Sequence, residues 1–420
     1  MGTSVNPPRG MRDFLPLDKA RRERILGIIA DTYRAHGFDE IETPVMEDSS
    51  RLHAGLGGDN EKLAFGVLKR GLTAKDLNAA DDPLDLVDLG LRFDLTVPLA
   101  RFYATHHAQL PSVFRAIQLA PVWRAERPQK GRYRQFLQCD IDIIGESGSI
   151  AEIELITATA AAVNALGLTG WSIRINDRRI LSGLLAWWGI PEESREKALI
   201  TLDKEDKIGI DGVVAELADF TDADADAVAA TLHELAALPD DGWSLPDAPW
   251  LDRQAYGDLA AIRDAVPDVP LVFSPNLVRG MGYYTGAIFE IAHPASSSSL
   301  GGGGRYDGMI GRFLGTDVPA TGFSIGFERI LDLLQLPDAG TKDAVVLLYD
   351  DTVQPAALIA LKNAVLAAAG EGGRVRLERK PRNLKPLLEQ LTASGFTRMA
   401  SVTRDTVTAS DLEFRDLHAG

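Results

Sequence analysis

The sequence predicts an α+β fold: an antiparallel sheet flanked by helices, a mostly helical insertion, and an α/β tail. Three observations carry that prediction. Residues 91–97, "LRFDLTV", and 133–145, "YRQFLQCDIDIIG", alternate apolar and polar side chains. Each such segment buries one face and presents a polar row on the other, the pattern of an antiparallel sheet. Residues 178–265 read as acidic helices, and the chain from 344 onward repeats strand, helix, strand.

Taken in order, Lys19 to His36 reads as an amphipathic helix ended by Gly37. "FDEIETPVMED" (38–48) reads as a strand interrupted by Pro44, as an edge or interface strand allows. In 91–97, Leu91, Phe93, Leu95 and Val97 face one way, and Arg92, Asp94 and Thr96 the other. In the second alternating segment Leu137, Cys139, Ile141 and Ile143 oppose Arg134, Gln138, Asp140 and Asp142. Ala151–Leu166 is a helix rich in Ala, Ile and Leu. Strand signals resume at "PLVFSPNLVRG" and "TGAIFEIA"; "SSSSLGGGGRYDG" reads as a glycine-rich loop, and "TGFSIGFERILDLL" as strand then helix. After a polar break at Pro337–Asp343, the tail reads as strand Ala344–Tyr349, helix Pro355–Ala369, strand Arg374–Glu378, helix Leu384–Ser394 and strand "RMASVT".

The 420 residues carry a formal charge of −16, which argues against indiscriminate nucleic-acid binding. That charge is uneven. Residues 203–268 hold 17 acidic and 4 basic side chains, whereas 374–404 hold 8 basic and 2 acidic. Segments of opposite sign point to different partners. No apolar run is long enough to span a membrane. The polar, Pro/Gly-bearing start is unlike a secretory signal. One cysteine, Cys139, excludes an internal disulfide and a multi-cysteine metal site, as in a reducing, cytoplasmic protein.

Against that acidity, Arg124 to Arg134 packs four arginines and a lysine into eleven residues and runs straight into Gln138, Asp140 and Asp142. In order along the chain stand "LRFDLTVPLAR", "PVWRAERPQKGRYRQFLQCDID", "LVRGMGYYTG", "GGGGRYDG" and "GFSIGFERI". With these strings the whole chain resembles histidyl-tRNA synthetases, which are class II aminoacyl-tRNA synthetases. The resemblance implies a six- or seven-stranded antiparallel sheet of class II synthetase type. It puts motif 1 around Pro44 at a homodimer interface, motif 2 around Arg124 and motif 3 at Arg329. It divides the chain into a catalytic domain (1–176 and 269–336), a helical insertion domain (177–268) and an anticodon-binding-like domain (342–420). At "LEFRDLHAG" the last of these ends earlier than the family's usual strand or helix.

The implied reaction joins L-histidine to tRNA(His) through histidyl-adenylate, with ATP as substrate and Mg2+ accompanying it. Phosphoryl transfer needs positive charge and in-line positioning, and arginine's planar fork suits phosphate. By resemblance Arg124 contacts the α-phosphate and the substrate carboxylate, Arg329 the γ-phosphate, and Arg279 takes a role that a metal ion has in relatives. Glu126 and Arg134 join the ATP set. Asp94, Thr96 and Gln138 are implied to hold the α-amino group, and Asp142, Tyr283 and Tyr284 to line the imidazole pocket. Arg127 and Gln129 are implied to read the tRNA acceptor end, while Lys130, Arg132 and Arg134 can hold phosphates of ATP or RNA. No protein metal site is expected. Arg279 and Tyr284 are five positions apart, which a regular strand would send to opposite faces; Gly280 and Gly282 between them predict an irregularity.

Any one of these arginines could be a surface ion-pair partner; three at matched positions favour function. The main rival is the histidine-sensing regulatory subunit of ATP phosphoribosyltransferase, a paralogue that typically lacks the tail and loses ligase arginines. A generic RNA-binding module would explain the basic tail but not the other arginines.

Overall fold

The computed structural model describes residues 5–53, 63–129, 131–239, 241–244, 248–279, 283–334, 343–370 and 372–417. Its strands are β1 (Asp39–Glu40), β2 (Met46–Asp48), β3 (Phe65–Leu68), β4 (Val87–Leu91), β5 (Phe114–Trp123), β6 (Gln135–Ile144), β7 (Ser172–Asp177), β8 (Leu271–Phe273), β9 (Ala287–Ala292), β10 (Gly301–Arg305), β11 (Ala320–Gly326), β12 (Ala344–Tyr349), β13 (Arg374–Arg379), β14 (Arg398–Val402) and β15 (Arg415–Asp416). Eight of them form one sheet, ordered β1-β5-β6-β11-β10-β9-β7-β8. The pairings are antiparallel except at the two ends, where β1–β5 and β7–β8 run parallel. The sheet is therefore larger than the six or seven antiparallel strands expected, because two- and three-residue edge pieces dock in parallel.

Two compact units divide the chain: 1–13 with 24–334, and 14–23 with 335–420. In the first, helices Arg178–Trp187, Glu192–Leu202, Glu205–Ala218, Ala225–Ala236 and Arg253–Ala265 lie in sequence between β7 and β8. Part of this segment's acidity has a local use. Asp177, Asp224 and Asp252 cap three of the helices, accepting the N–H groups that have no partner within the first turn. The second unit holds the sheet β13-β12-β14-β15, whose first three strands are parallel, with helices Pro355–Ala368 and Lys385–Ala393 as the βαβ pattern requires.

Three readings of local structure are corrected. Residues 91–97 are not one strand: β4 ends at Leu91 and a helix, Thr96–His106, begins five residues later. Pro98 in its first turn has no N–H to lose there, and Asp94 Oδ1 accepts the Val97 N–H at 3.3 Å. A helix start thus prevails over the two-residue alternation. Phe93, Leu95 and Val97 are buried all the same. Pro44 does more than interrupt a strand, because it separates β1 and β2 into different sheets. The glycine-rich "loop" is itself β10, a central strand paired on both sides.

On β6 the apolar face is closed: Cys139, Ile141 and Ile143 have no exposed surface. The polar row opposite is also buried, with Gln138, Asp140 and Asp142 at 9%, 5% and 4% exposure. Burying two carboxylates and an amide is costly unless something bonds to them, so this row marks the site.

Candidate active site

Register across the sheet builds the floor. Asp140 on β6 stands opposite Ser324 on β11, Ser324 opposite Gly302 on β10, and Gly302 opposite Glu290 on β9. One row away, Asp142 faces Gly322, whose missing side chain leaves room for the carboxylate: a Cβ there would lie 2.0 Å from Asp142 Oδ1. The floor opens into a cleft of about 350 Å3, within the range of small-molecule sites.

One end of the cleft is acidic. Asp142 accepts the Tyr306 hydroxyl at 2.5 Å, and burial pushes its carboxyl up to about 7 against the lowering effect of that bond. Asp140 accepts from the Ser324 hydroxyl and, at 3.2 Å, from Gln138 Nε2; burial and the neighbouring Asp142 hold it well above the usual carboxylate range. Asp94 is raised by burial, partly offset by the Val97 N–H and Arg124. Tyr283 and Tyr284 complete this wall, ring centroids 4.4 Å apart. Three crowded carboxyl groups, two of them offset only in part by Arg124, call for a cationic ligand.

The other end is basic. Arg124 leaves β5 with its Nε donating to the Phe93 carbonyl at 2.9 Å, which fixes the stem and turns the fork to the cleft. Arg279 lies over Gly302, where an added Cβ would come within 2.3 Å of its Cζ, and pairs with Glu290 at 2.7 Å. Arg329 donates to the Ser299 carbonyl at 2.6 Å, and Ser299 Oγ accepts from Arg279 at 3.1 Å. Burial, together with Arg132, Arg279 and Arg124, pulls the Arg329 guanidinium below its ordinary value. Arg329 crowded by Arg124, Arg132 and Arg279 describes a place waiting for an anion.

Of the residues read from sequence, Asp94, Thr96, Arg124, Glu126, Gln138, Asp142, Arg279, Tyr283, Tyr284 and Arg329 all line this cleft. Arg134 stands apart from its wall, with Nε donating to the Glu126 carbonyl at 3.0 Å. Arg127 and Gln129 are exposed on the hairpin tip closed by the Gln129–Arg132 backbone pair. Lys130, and Gly280 and Gly282 of the expected irregularity, lie outside the described residues. Sequence reasoning gave no role to Asp140, Glu290, Ser299, Tyr306, Ser324 or Glu328. Only Asp140, sharing a face with two assigned residues, carried a signal that could have found it.

The comparisons with known proteins agree. The profile of the family described as "Histidyl-tRNA synthetase" matches residues 10–330. The histidine–tRNA ligase of Leifsonia xyli subsp. xyli (strain CTCB07) is 59% identical over 97% of each chain, and that of Aeropyrum pernix is 34% identical over 95% of this chain and 88% of its own. Among solved structures, histidyl-tRNA synthetase from Nostoc sp. PCC 7120 superposes with a TM-score of 0.76 at 23% identity, covering 100% of this chain and 96% of its own. A Bacillus halodurans C protein described as an ATP phosphoribosyltransferase regulatory subunit/histidyl-tRNA synthetase does so with 0.75 at 20% identity, covering 97% and 100%. The structural likenesses speak for the fold alone, which ligase and paralogue share. The family match and the full-length relatives place the chain among the aminoacyl-tRNA synthetases. Within that class, the chain belongs to the histidyl-tRNA synthetase family.

Proposed function

We propose that this cleft activates histidine with ATP and passes it to tRNA(His). In the first step the histidine carboxylate attacks the α-phosphorus of ATP, forming histidyl-adenylate and expelling pyrophosphate. In the second a terminal ribose hydroxyl of the tRNA attacks the activated carbonyl, forming the ester and releasing AMP. The observation that carries this reading is the junction of the two ends: Arg329, lowered by burial and by Arg124, Arg132 and Arg279, stands in the same cleft as Asp94, Asp140 and Asp142, whose carboxyls burial raises. A cationic amino acid whose carboxylate must meet a polyphosphate needs that adjacency.

Asp94, Thr96 and Gln138 hold the α-ammonium, and Asp142 with Tyr283 and Tyr284 receives the imidazole. Arg124 orients carboxylate and α-phosphate; Arg279 stabilises charge developing there, held in place by Glu290. Arg329 takes the γ-phosphate. Mg2+ enters with ATP. Among the described residues no group of three His, Cys, Asp or Glu side chains forms a cage for it. Glu126 fits its habit of taking one carboxylate plus phosphate oxygens, since that side chain's pairs with Arg124 and Arg132 are loose, at 3.9 and 3.8 Å. The ion supplies neutralisation of phosphate charge. Arg127 and Gln129 meet the acceptor end of the tRNA. The helices of 177–268 act as an insertion domain and 342–420 as the anticodon-binding part; the protein works in the cytoplasm as a homodimer through the region around Pro44.

Histidine-dependent exchange of pyrophosphate into ATP tests the reading. The intact protein should exchange label with histidine and with no other amino acid. A folded sample without exchange would leave the sensing paralogue as the better description.

A further inference from the structure

Residues Pro8–Arg12 belong to no helix or strand, yet they are stitched to both walls of the basic end of the cleft. The Met11 N–H donates to the Pro8 carbonyl at 2.9 Å and closes a turn. At its end the Gly10 carbonyl accepts the Arg134 N–H at 2.8 Å. Gly10 has φ +83°, and a Cβ there would sit 2.8 Å from Pro128 Cγ and 2.9 Å from Arg134 Cγ. Glycine is thus what lets the turn press against the 124–134 loop. Two residues on, the Arg12 guanidinium lies 3.5 Å from the centroid of the Tyr133 ring and pairs with Glu328 at 2.5 Å. Glu328 is buried and precedes Arg329 on helix Phe327–Leu333. Tyr133, Glu328 and Arg329 all line the cleft.

We propose that Pro8–Arg12 is a clasp for the nucleotide end of the cleft, and that Arg12 is the positioning residue that sets the loop against the helix carrying Arg329. A guanidinium does this with one group: its flat face rests on the tyrosine while its edge meets the carboxylate. Lysine could keep the ion pair but not the stack. Without Arg12 the buried Glu328 loses this cation, a costly state that favours rearrangement of the helix start. At the histidine end Gln138 and Asp142 stand in the middle of β6, away from these contacts of the turn. Loss of the clasp therefore loosens the hold on ATP selectively. The inference rests on assigning this end to ATP.

Pyrophosphate exchange on the full chain separates the outcomes. Arg12→Ala should raise the KM for ATP about tenfold and leave that for histidine within about twofold. Arg12→Lys should recover part of the loss. Arg12→Ala combined with Tyr133→Leu should be no worse than the more severe single change, since both break one contact. The clasp is overturned by equal rises in both KM values, by no rise, or by additive losses in the double variant. A general loss of stability would lower the active fraction, and so the apparent kcat, without a selective rise in the KM for ATP, and Arg12→Lys with Tyr133→Leu carries the test if Arg12→Ala does not fold. Absence of exchange in the unaltered protein would defeat the ligase reading instead.

Discussion

Asp142 shows how a single residue couples the site to stability. Its carboxyl titrates at about 7 in the fold, against an ordinary value of 3.8, because burial outweighs the Tyr306 hydrogen bond. Between those two pH values the folded state holds a proton that the unfolded chain has released. Stability therefore falls as pH rises through that window, and the full cost is present above it. Asp142→Asn removes the titration and keeps an acceptor for Tyr306. The variant should melt above the parent at pH 8, by on the order of a few degrees, with the difference shrinking towards pH 4. A pH-independent difference would show that the carboxyl is not buried in its charged form. The same change should raise the KM for histidine by roughly ten- to a hundredfold, because the pocket loses the charge that an imidazole N–H meets.

At the scale of elements, β10 decides most. Its run of glycines reads as a loop from composition, since glycine weakens strands. In the fold, strands on both sides come so close that side chains have no room. A Cβ at Gly303 would lie 1.9 Å from the Gly322 carbonyl oxygen, and one at Gly302 would strike the Arg279 guanidinium. The strand is thus a bare surface on which Arg279 lies flat. Gly302→Ala should displace that guanidinium, and its loss of kcat in pyrophosphate exchange should match that of Arg279→Ala within about threefold. Near-normal turnover in the glycine variant would mean that Arg279 does its work elsewhere. The helix start at Thr96 makes the parallel point: Asp94 reaches the cleft from a helix-capping turn, not from a strand face.

Across the whole molecule, charge is sorted between the two compact units. The acidic stretch 203–268 belongs to the unit with the cleft, and the basic stretch 374–404 to the other. In that second unit Arg374 and Arg376 stack on Phe396, at 4.3 and 4.7 Å from the ring centroid, and Arg398 stacks on Phe414 at 4.6 Å. Stacking holds the guanidinium groups in place, while their edges meet the Ser394 carbonyl from Arg374 at 2.6 Å, Glu378 from Arg376 at 3.7 Å and Asp343 from Arg398 at 3.2 Å. If this surface takes the tRNA, Arg376→Ala should weaken binding and lower the slope of log K against log salt by about one. An unchanged slope would remove Arg376 from the contact. Residues 14–23 also belong to this unit, far in sequence from the rest of it.

By itself the sequence determined the kind of fold and the chemistry at both ends of the cleft. Periodicity is local, so β6 and the alternating strand-helix tail could be read directly, and resemblance to a known family pointed to ten residues that line the cleft. Tertiary structure alone decided the partners that meet across the sheet. Asp140 with Ser324, Arg279 with Glu290 and Ser299, Asp142 with Tyr306, and Arg12 with Glu328 are separated by 11 to 316 positions. No local pattern encodes such pairings, because strand register and close backbone approach exist only once the chain has folded.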